Sequence, residues 1–323
     1  MPQVTDTPPT QVRADLSALT ASLNAHIPPK RLSNLLIATW NIRSFASLTR
    51  KWTATSNDSP KRDLRGLRAI IEIISRFDVV AVQEIKGDLR ALRDTMRFLG
   101  DDWGFLMTDV TGGSAGNSER LGFIFQRSRV RPSGLAGELV VEPERLARVG
   151  NNANILNEQF ARTPYAVSFR RGDATFILAT LHIKFGTADA RLPELQEIAD
   201  QFDDWARRSN RFHQNLLCLG DFNIDRRGDA LFDAFTSTGL TIPQQLENLP
   251  RTIFDDPGDP GDDSYYDQIA WFTTGSRALI DMTLSTGGNF DFLPHVYTET
   301  SLSRTSISHR VSDHLPLWVE FEV

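Results

Sequence analysis

The stretch Leu216-Leu217-Cys218-Leu219-Gly220-Asp221-Phe222-Asn223-Ile224-Asp225 runs four apolar residues into a glycine and then into Asp-Phe-Asn. A short apolar run that ends at a turn signal reads as a strand buried on both faces. Asp221 and Asn223 stand two apart, so they alternate onto one face where that strand ends. Gly220 lets the backbone turn closely just before them. A buried strand thereby delivers a carboxylate acceptor and an amide donor to one point. Asp-x-Asn after a strand is also a common turn, because both side chains bond their own backbone. Asp225 keeps that purely structural reading.

Working outward, Leu35–Trp40 is another apolar strand run, and Leu64–Arg76 (LRGLRAIIEIISR) has helical spacing. Asp78–Ile85, Leu121–Gln126, Tyr165–Arg170 and Ala174–Ile183 read as strands, and Ala190–Arg208 as a long amphipathic helix. A helix is expected near Asp229–Thr238, with strands at Tyr266–Phe272, Ala278–Ser285 and Leu315–Val323. The last alternates strictly from Leu317 onward, as a half-buried strand does. Many strands with helices inserted singly between them predict sheets with helices outside. No repeat or interior linker divides the chain, so residues 33–323 read as one domain. Residues 1–32 are polar and Pro-containing, with one weakly amphipathic stretch near Ala14–His26, and read as a partly helical N-terminal extension.

With 40 % hydrophobic and 24 % charged residues the composition is that of a soluble globular protein. No apolar run approaches the roughly 18 residues of a membrane span. The N-terminus has no basic segment leading into an apolar core, which excludes a secretory signal and leaves a cytoplasmic expectation with no membrane partner. The single cysteine, Cys218, excludes an internal disulfide and reads as an inert core thiol. A formal net charge of -6 argues against whole-molecule attraction to nucleic acid. Any polyanion has to be gripped locally or through a metal.

Polar residues recur where the strands end: Asn41 and Arg43, Gln83 and Glu84, Glu119, His182, Asp221 and Asn223, Asp267, then Ser312-Asp313-His314. The inventory is carboxylates, carboxamides and two histidines, with no reactive serine or cysteine. Such donors suit a hard divalent cation, which takes oxygen ligands and needs only one or two carboxylates beside waters and substrate phosphate oxygens. Glu84 is the best single candidate ligand. Two histidines with acidic partners then handle proton transfer.

In that order the set resembles the endonuclease/exonuclease/phosphatase superfamily. The matching pieces are ATWNIR, VVAVQE, ATLHIK, LGDFN, YYDQI and VSDH, from Ala38 to His314. The deoxyribonuclease I branch is the most similar, through ATWNIRSF, SERLGFIF, FARTPYAVSF and YYDQIAW. The resemblance implies an α/β fold, a four-layer α/β sandwich of two packed, mostly antiparallel β-sheets flanked by helices, with the site at one end. It implies Mg2+, with Mn2+ as a substitute, bound by Glu84 with Asn41 and Asp313. His314, held by Asp267, is then the general base on the attacking water. Asp221 and Asn223 orient that water, and His182, paired with Glu119, assists at the transition state or leaving group. Arg162 and Lys86 match substrate-contacting positions, and Asn117 is a further substrate candidate. Asp281, in ALIDMTL, competes with Asp267 as partner of His314.

The activity implied is a metal-dependent phosphodiesterase, a DNA endonuclease of little sequence specificity. A basic loop (Arg50, Lys51, Lys61, Arg62, Arg65) is placed to track phosphates. The alternatives are a phosphomonoesterase or phospholipase C-type hydrolase of the same superfamily, and a binding protein whose catalytic site has decayed. The acidic segment Asp255–Asp263 reads as a solvated loop rather than a calcium site, since it lacks the spaced ligands of an EF-hand.

Overall fold

The computed structural model describes residues 1–112, 116–146, 156, 158–208, 215–256, 264–275 and 280–323. Two six-stranded sheets form its centre. The first contains β1 (Asn34–Phe45), β2 (Val79–Lys86), β3 (Trp103–Met107), β4 (Glu119–Gln126), β11 (Thr283–Asn289) and β12 (Leu317–Glu322), ordered β11-β12-β1-β2-β4-β3. The second contains β5 (Arg131–Glu138), β6 (Tyr165–Arg171), β7 (Ala174–His182), β8 (Leu216–Asp221), β9 (Leu240–Thr241) and β10 (Asp267–Phe272), ordered β5-β6-β7-β8-β10-β9. Each sheet is antiparallel except for one central parallel pair, β1 with β2 and β7 with β8.

The two-residue period of β1 explains the layering. Leu35 and Ile37 join the core shared with the second sheet, while Leu36, Ala38 and Trp40 face the helices Thr10–His26 and Leu64–Ile74. The helix Leu64–Ile74 begins at Asp63, whose carboxylate accepts from Gly66 N at 2.9 Å, and buries Leu64, Leu67, Ile70, Ile71 and Ile74 on one face. On the far side, Leu195, Ile198 and Phe202 of the helix Ala188–Arg207 cover the second sheet. The expected sandwich of sheets and flanking helices is therefore present.

Residues 1–27 are docked rather than pendant. Val4, Leu19, Leu23 and Ile27 share a core with Leu36 and Leu67. Buried Asp15 accepts from Arg65 Nε at 3.0 Å and from Tyr297 N at 2.7 Å, tying the first helix to a segment near the C-terminus. Sequence patterning missed β3, β5 and the helix Arg90–Leu99. The strand β5 contains a proline and two glycines and is half exposed, so it carries almost no alternating signal. The strand expected at Ala278–Ser285 runs instead over Thr283–Asn289 within the described residues. There Gly288 permits close packing on Trp318: a Cβ would lie 2.9 Å from its ring.

Register brings the polar strand ends together. His182 pairs with Asp221 across β7 and β8, and Asp221 pairs with Asp267 across β8 and β10. The approach depends on Gly220, which has φ +145° and no room for a side chain, since a Cβ would sit 2.1 Å from Leu181 O. Gly220→Ala should therefore destabilise the protein by about 3 kcal/mol or more, through a left-handed backbone and a backbone clash together. Thermal and urea unfolding should show a clear loss; an unchanged midpoint would mean that the two strand ends do not meet as described.

Candidate active site

Asp221 stands at the centre. Its Oδ2 accepts from Asn41 Nδ2 at 2.9 Å and lies 3.5 Å from His182 Nε2 and 3.8 Å from His314 Nε2. Its Oδ1 accepts from Asn223 N at 3.0 Å. Burial alone would raise the Asp221 pKa, but the two histidines and these hydrogen bonds outweigh it, and the carboxyl is held below its usual range. Asn223, at φ +48°, donates its amide to Ile183 O at 2.7 Å. That carboxamide is anchored to the neighbouring strand rather than pointing freely at a ligand.

Each histidine has its own carboxylate. His314 Nδ1 is 2.6 Å from Asp267 Oδ2, which fixes the ring with Nε2 toward Asp221. Asp281 is engaged elsewhere, accepting from Asn215 Nδ2 at 2.5 Å, so Asp267 is the one that reaches His314. Burial raises the Asp267 carboxyl to about 6. Burial would lower His314, but Asp267 and Asp221 overcome it and hold the imidazole well above the usual histidine range. His182 Nδ1 lies 2.9 Å from Glu119 Oε2. Arg162 Nε approaches the same oxygen to 2.7 Å, and Lys86 Nζ and Asn117 Nδ2 donate to Glu119 Oε1 at 2.7 and 2.5 Å. Burial opposes ionisation of Glu119, yet His182, Arg162 and Lys86 bring its pKa down to about 2.

Glu84 occupies a break in the ladder. The register of β2 shifts against both β1 and β4 at this point, and Glu84 takes φ +61°. A non-glycine residue there is strained, a cost usually tolerated where the side chain has to be aimed. Its Oε2 accepts from Ser44 N at 2.8 Å and its Oε1 from Asn41 Nδ2 at 3.3 Å. Asn41 Oδ1 is buried with no hydrogen-bond partner. Asp313 is held by Arg43 at 2.9 Å. A carboxylate beside an unsatisfied carboxamide oxygen fits a hard cation that keeps its waters. No ready-made cage of three or more His, Cys, Asp or Glu exists among the described residues.

Residues 38–314 match the model of the Endonuclease/Exonuclease/phosphatase family. The chain belongs to that family. A protein named deoxyribonuclease from Thioalkalivibrio sp. (strain K90mix) is 26 % identical over 308 residues, covering 92 % of this chain and 73 % of that protein. A mannosyl-6-phosphatase from Bacteroides thetaiotaomicron VPI-5482 superposes with a TM-score of 0.57 at 15 % identity, covering 90 % of this chain and 100 % of its own. A D. rerio TDP2 complexed with single-strand DNA product superposes with a TM-score of 0.51 at 14 % identity, with coverages of 90 % and 100 %. These two structures share the fold.

The expected substrate contacts gather on one carboxylate. Arg162, Lys86 and Asn117 all turn onto Glu119, and Arg162 is buried there, also touching Ile183 O at 3.4 Å. A buried carboxylate gathers its own cations, because an unpaired one would cost several kcal/mol. The basic loop is likewise consumed internally. Arg50 meets Asp94 at 3.0 Å, Lys51 meets Asp58 at 2.7 Å, and Lys61 donates to three backbone carbonyls. Arg62 is buried on the carbonyls of Arg43, Ser44 and Val311, and Arg65 is buried on Asp15 and Glu299. Part of the acidic Asp255–Asp263 segment lies outside the described residues; Asp255 itself closes a turn on Thr252.

Several supporting residues lay beyond sequence reasoning. Gln83 Nε2 donates across the sheets to Thr180 Oγ1 at 2.8 Å, directly beneath the site. Arg191 grips Asp225 at 2.9 and 2.6 Å and also donates to Asn223 O, which gives the structural reading of Asp225 a partner. Arg251 is buried on the carbonyl of Asp267 at 2.7 Å. Their partners are distant in sequence, so no spacing signals them.

The depressed Glu119 pKa makes a stability statement. A group lowered from 4.5 to about 2 contributes fully above its unfolded pKa, and that contribution is lost as pH falls through the interval. Urea unfolding between about pH 5 and 3 should show wild type losing stability more steeply than Glu119→Gln, which has no such proton to bind. Parallel pH profiles would show that Glu119 is not held ionised by its neighbours.

Proposed function

We propose that this family member is a divalent-metal-dependent phosphodiesterase that cuts DNA internally with little sequence preference. The observation that carries this reading is the convergence of two carboxylate-paired histidines on Asp221 Oδ2, at 3.5 and 3.8 Å. Such an arrangement serves in-line displacement, where one group removes a proton from the entering oxygen and another supplies one to the leaving oxygen. The named deoxyribonuclease relative favours DNA over a lipid or sugar phosphate.

His314, oriented by Asp267, accepts the proton of the attacking water as its oxygen bonds to phosphorus. Asp221 positions that water from below, with Asn41 fixing the Asp221 carboxylate. The bond from phosphorus to the leaving oxygen breaks on the opposite side, and His182, oriented by Glu119, donates the proton that oxygen needs. Glu84 and the Asn41 carbonyl oxygen, with Asp313 nearby, would hold the cation, Mg2+ or Mn2+ by the chemistry of their donors. A cation held there would supply positive charge to stabilise the phosphoryl oxygens and to lower the proton affinity of His314.

A phosphomonoesterase is the second reading. It is favoured by the inward turn of Arg162, Lys86 and the basic loop, which leaves fewer cations to track a polymer. Plasmid DNA separates the two. In magnesium, supercoiled plasmid should pass through a nicked form to linear, EDTA should abolish cleavage, and Glu84→Gln should lower it by on the order of 10- to 100-fold. Full activity of metal-stripped protein would overturn the metal role. Intact plasmid with rapid turnover of a sugar or inositol phosphate would overturn the nuclease reading and leave the hydrolase.

A further inference from the structure

Two large aromatic side chains stand in solvent where the chemistry is closest. Phe185 is 86 % exposed, and it follows His182 by three residues, so their Cα atoms are at most roughly 11 Å apart. Phe254 is 46 % exposed, two residues beyond Thr252, which bridges to His314. Strand order puts β7, bearing His182, on one side of Asp221 and β10, bearing Asp267, on the other; His314, ahead of β12 in the first sheet, reaches Asp267. Phe185 thus follows the strand that carries His182, and Phe254 follows the residue bridged to His314.

Neither exposure is a loose end of chain. Ile183 N bonds Asp221 O at 2.9 Å, and Ile183 O accepts from Asn223 at 2.7 Å. Lys184 N donates to Glu194 Oε2 at 3.0 Å, and Ala161 N, beside Arg162, donates to the other oxygen at 2.9 Å. One buried carboxylate thus clips two rim loops together immediately before Phe185. On the other wall, Ile253 N bonds Asp313 O at 2.8 Å and Phe254 N bonds Thr252 Oγ1 at 3.1 Å. Asp255 then closes the turn by accepting from Thr252 N at 2.8 Å and Arg251 N at 2.7 Å. Both backbones are fixed, with the Phe185 ring largely in solvent and the Phe254 ring about half exposed.

We propose that Phe185 and Phe254 are substrate-binding residues that stack on the nucleobases to either side of the scissile phosphate. The proposal rests on the nucleic-acid reading above and names how the rim of the site would grip such a substrate. Every base has a flat face, so stacking adds affinity without sequence preference. It also needs no positive charge, which suits a chain whose expected cations turn inward. A membrane would call for a contiguous apolar patch. Phe185 is instead followed by exposed Gly186, Thr187, Ala188 and Asp189.

The test uses the full chain in magnesium with a single-stranded oligonucleotide in which one linkage is a phosphodiester and the rest are hydrolysis-resistant, and its analogues carrying an abasic residue on either side of that linkage. Phe185→Ala and Phe254→Ala should each raise KM roughly tenfold with kcat little changed, since one base–aromatic stack contributes about that much. Phe185→Trp and Phe254→Trp should keep wild-type KM. An abasic residue on one side should erase the effect of one alanine variant, and on the other side the effect of the other. Unchanged KM in both alanine variants, or losses that persist on both abasic analogues, would overturn the stacking role while the nuclease reading stands. If the variants instead lose binding to sphingomyelin vesicles and not to the oligonucleotide, the rings are lipid anchors and the proposal falls. Failure of wild type to cut the oligonucleotide while it nicks plasmid would overturn the stacking role alone; failure on both would overturn the nuclease reading, and the stacking role with it.

Discussion

A buried carboxylate with no partner would cost several kcal/mol, and Asp221 is placed at the one point where that cost is met from both sheets. Asn41 of the first sheet donates to it, His182 and His314 face it, and the Asn223 backbone closes on its second oxygen. Removing any one of these leaves charge in a dry site. The sandwich end is thus held together by the same atom around which the proposed chemistry is arranged. Gly220 is what lets β8 come close enough to β7 for that atom to be shared.

A second carboxylate organises the rim. Glu119 takes Lys86, Asn117 and Arg162, and so sets the orientation of His182. Cations that a linear comparison assigns to substrate are here part of the machinery that keeps one histidine aimed. Arg62 and Arg65 are likewise buried on internal acceptors. Strain at Glu84 and Asn223, both at positive φ, is the local expense of aiming ligands from strand ends.

Most of the fold was legible because the interior strands are long, apolar and bounded by turn residues, and because the order of strand-end polar residues is distinctive. Strands with weak alternation were not legible, as β5 shows with its proline and two glycines. The docking of the first helix was hidden because it hangs on ion pairs between Asp15, Arg65 and Glu299, residues separated by most of the chain. At the candidate site, the order of strand-end polar residues foreshadowed which side chains come together, and Asp267 rather than Asp281 is the aspartate beside His314. What sequence could not convey is which way a flexible cation turns. Arg162 and Lys86 have the right type and position for phosphate, yet burial of Glu119 claims them first.

The central claim is that water, activated at His314, attacks phosphorus directly and in line, with no residue of the protein bonding to phosphorus on the way. The most direct measurement is the stereochemistry of a single turnover. A DNA phosphorothioate of one configuration at the cut phosphorus would be hydrolysed in oxygen-18 water and the product's configuration determined. Inversion is the expected result, since one displacement inverts the centre once. Retention would mean two displacements through a covalent enzyme intermediate, and would contradict the roles assigned to His314, Asp221 and His182.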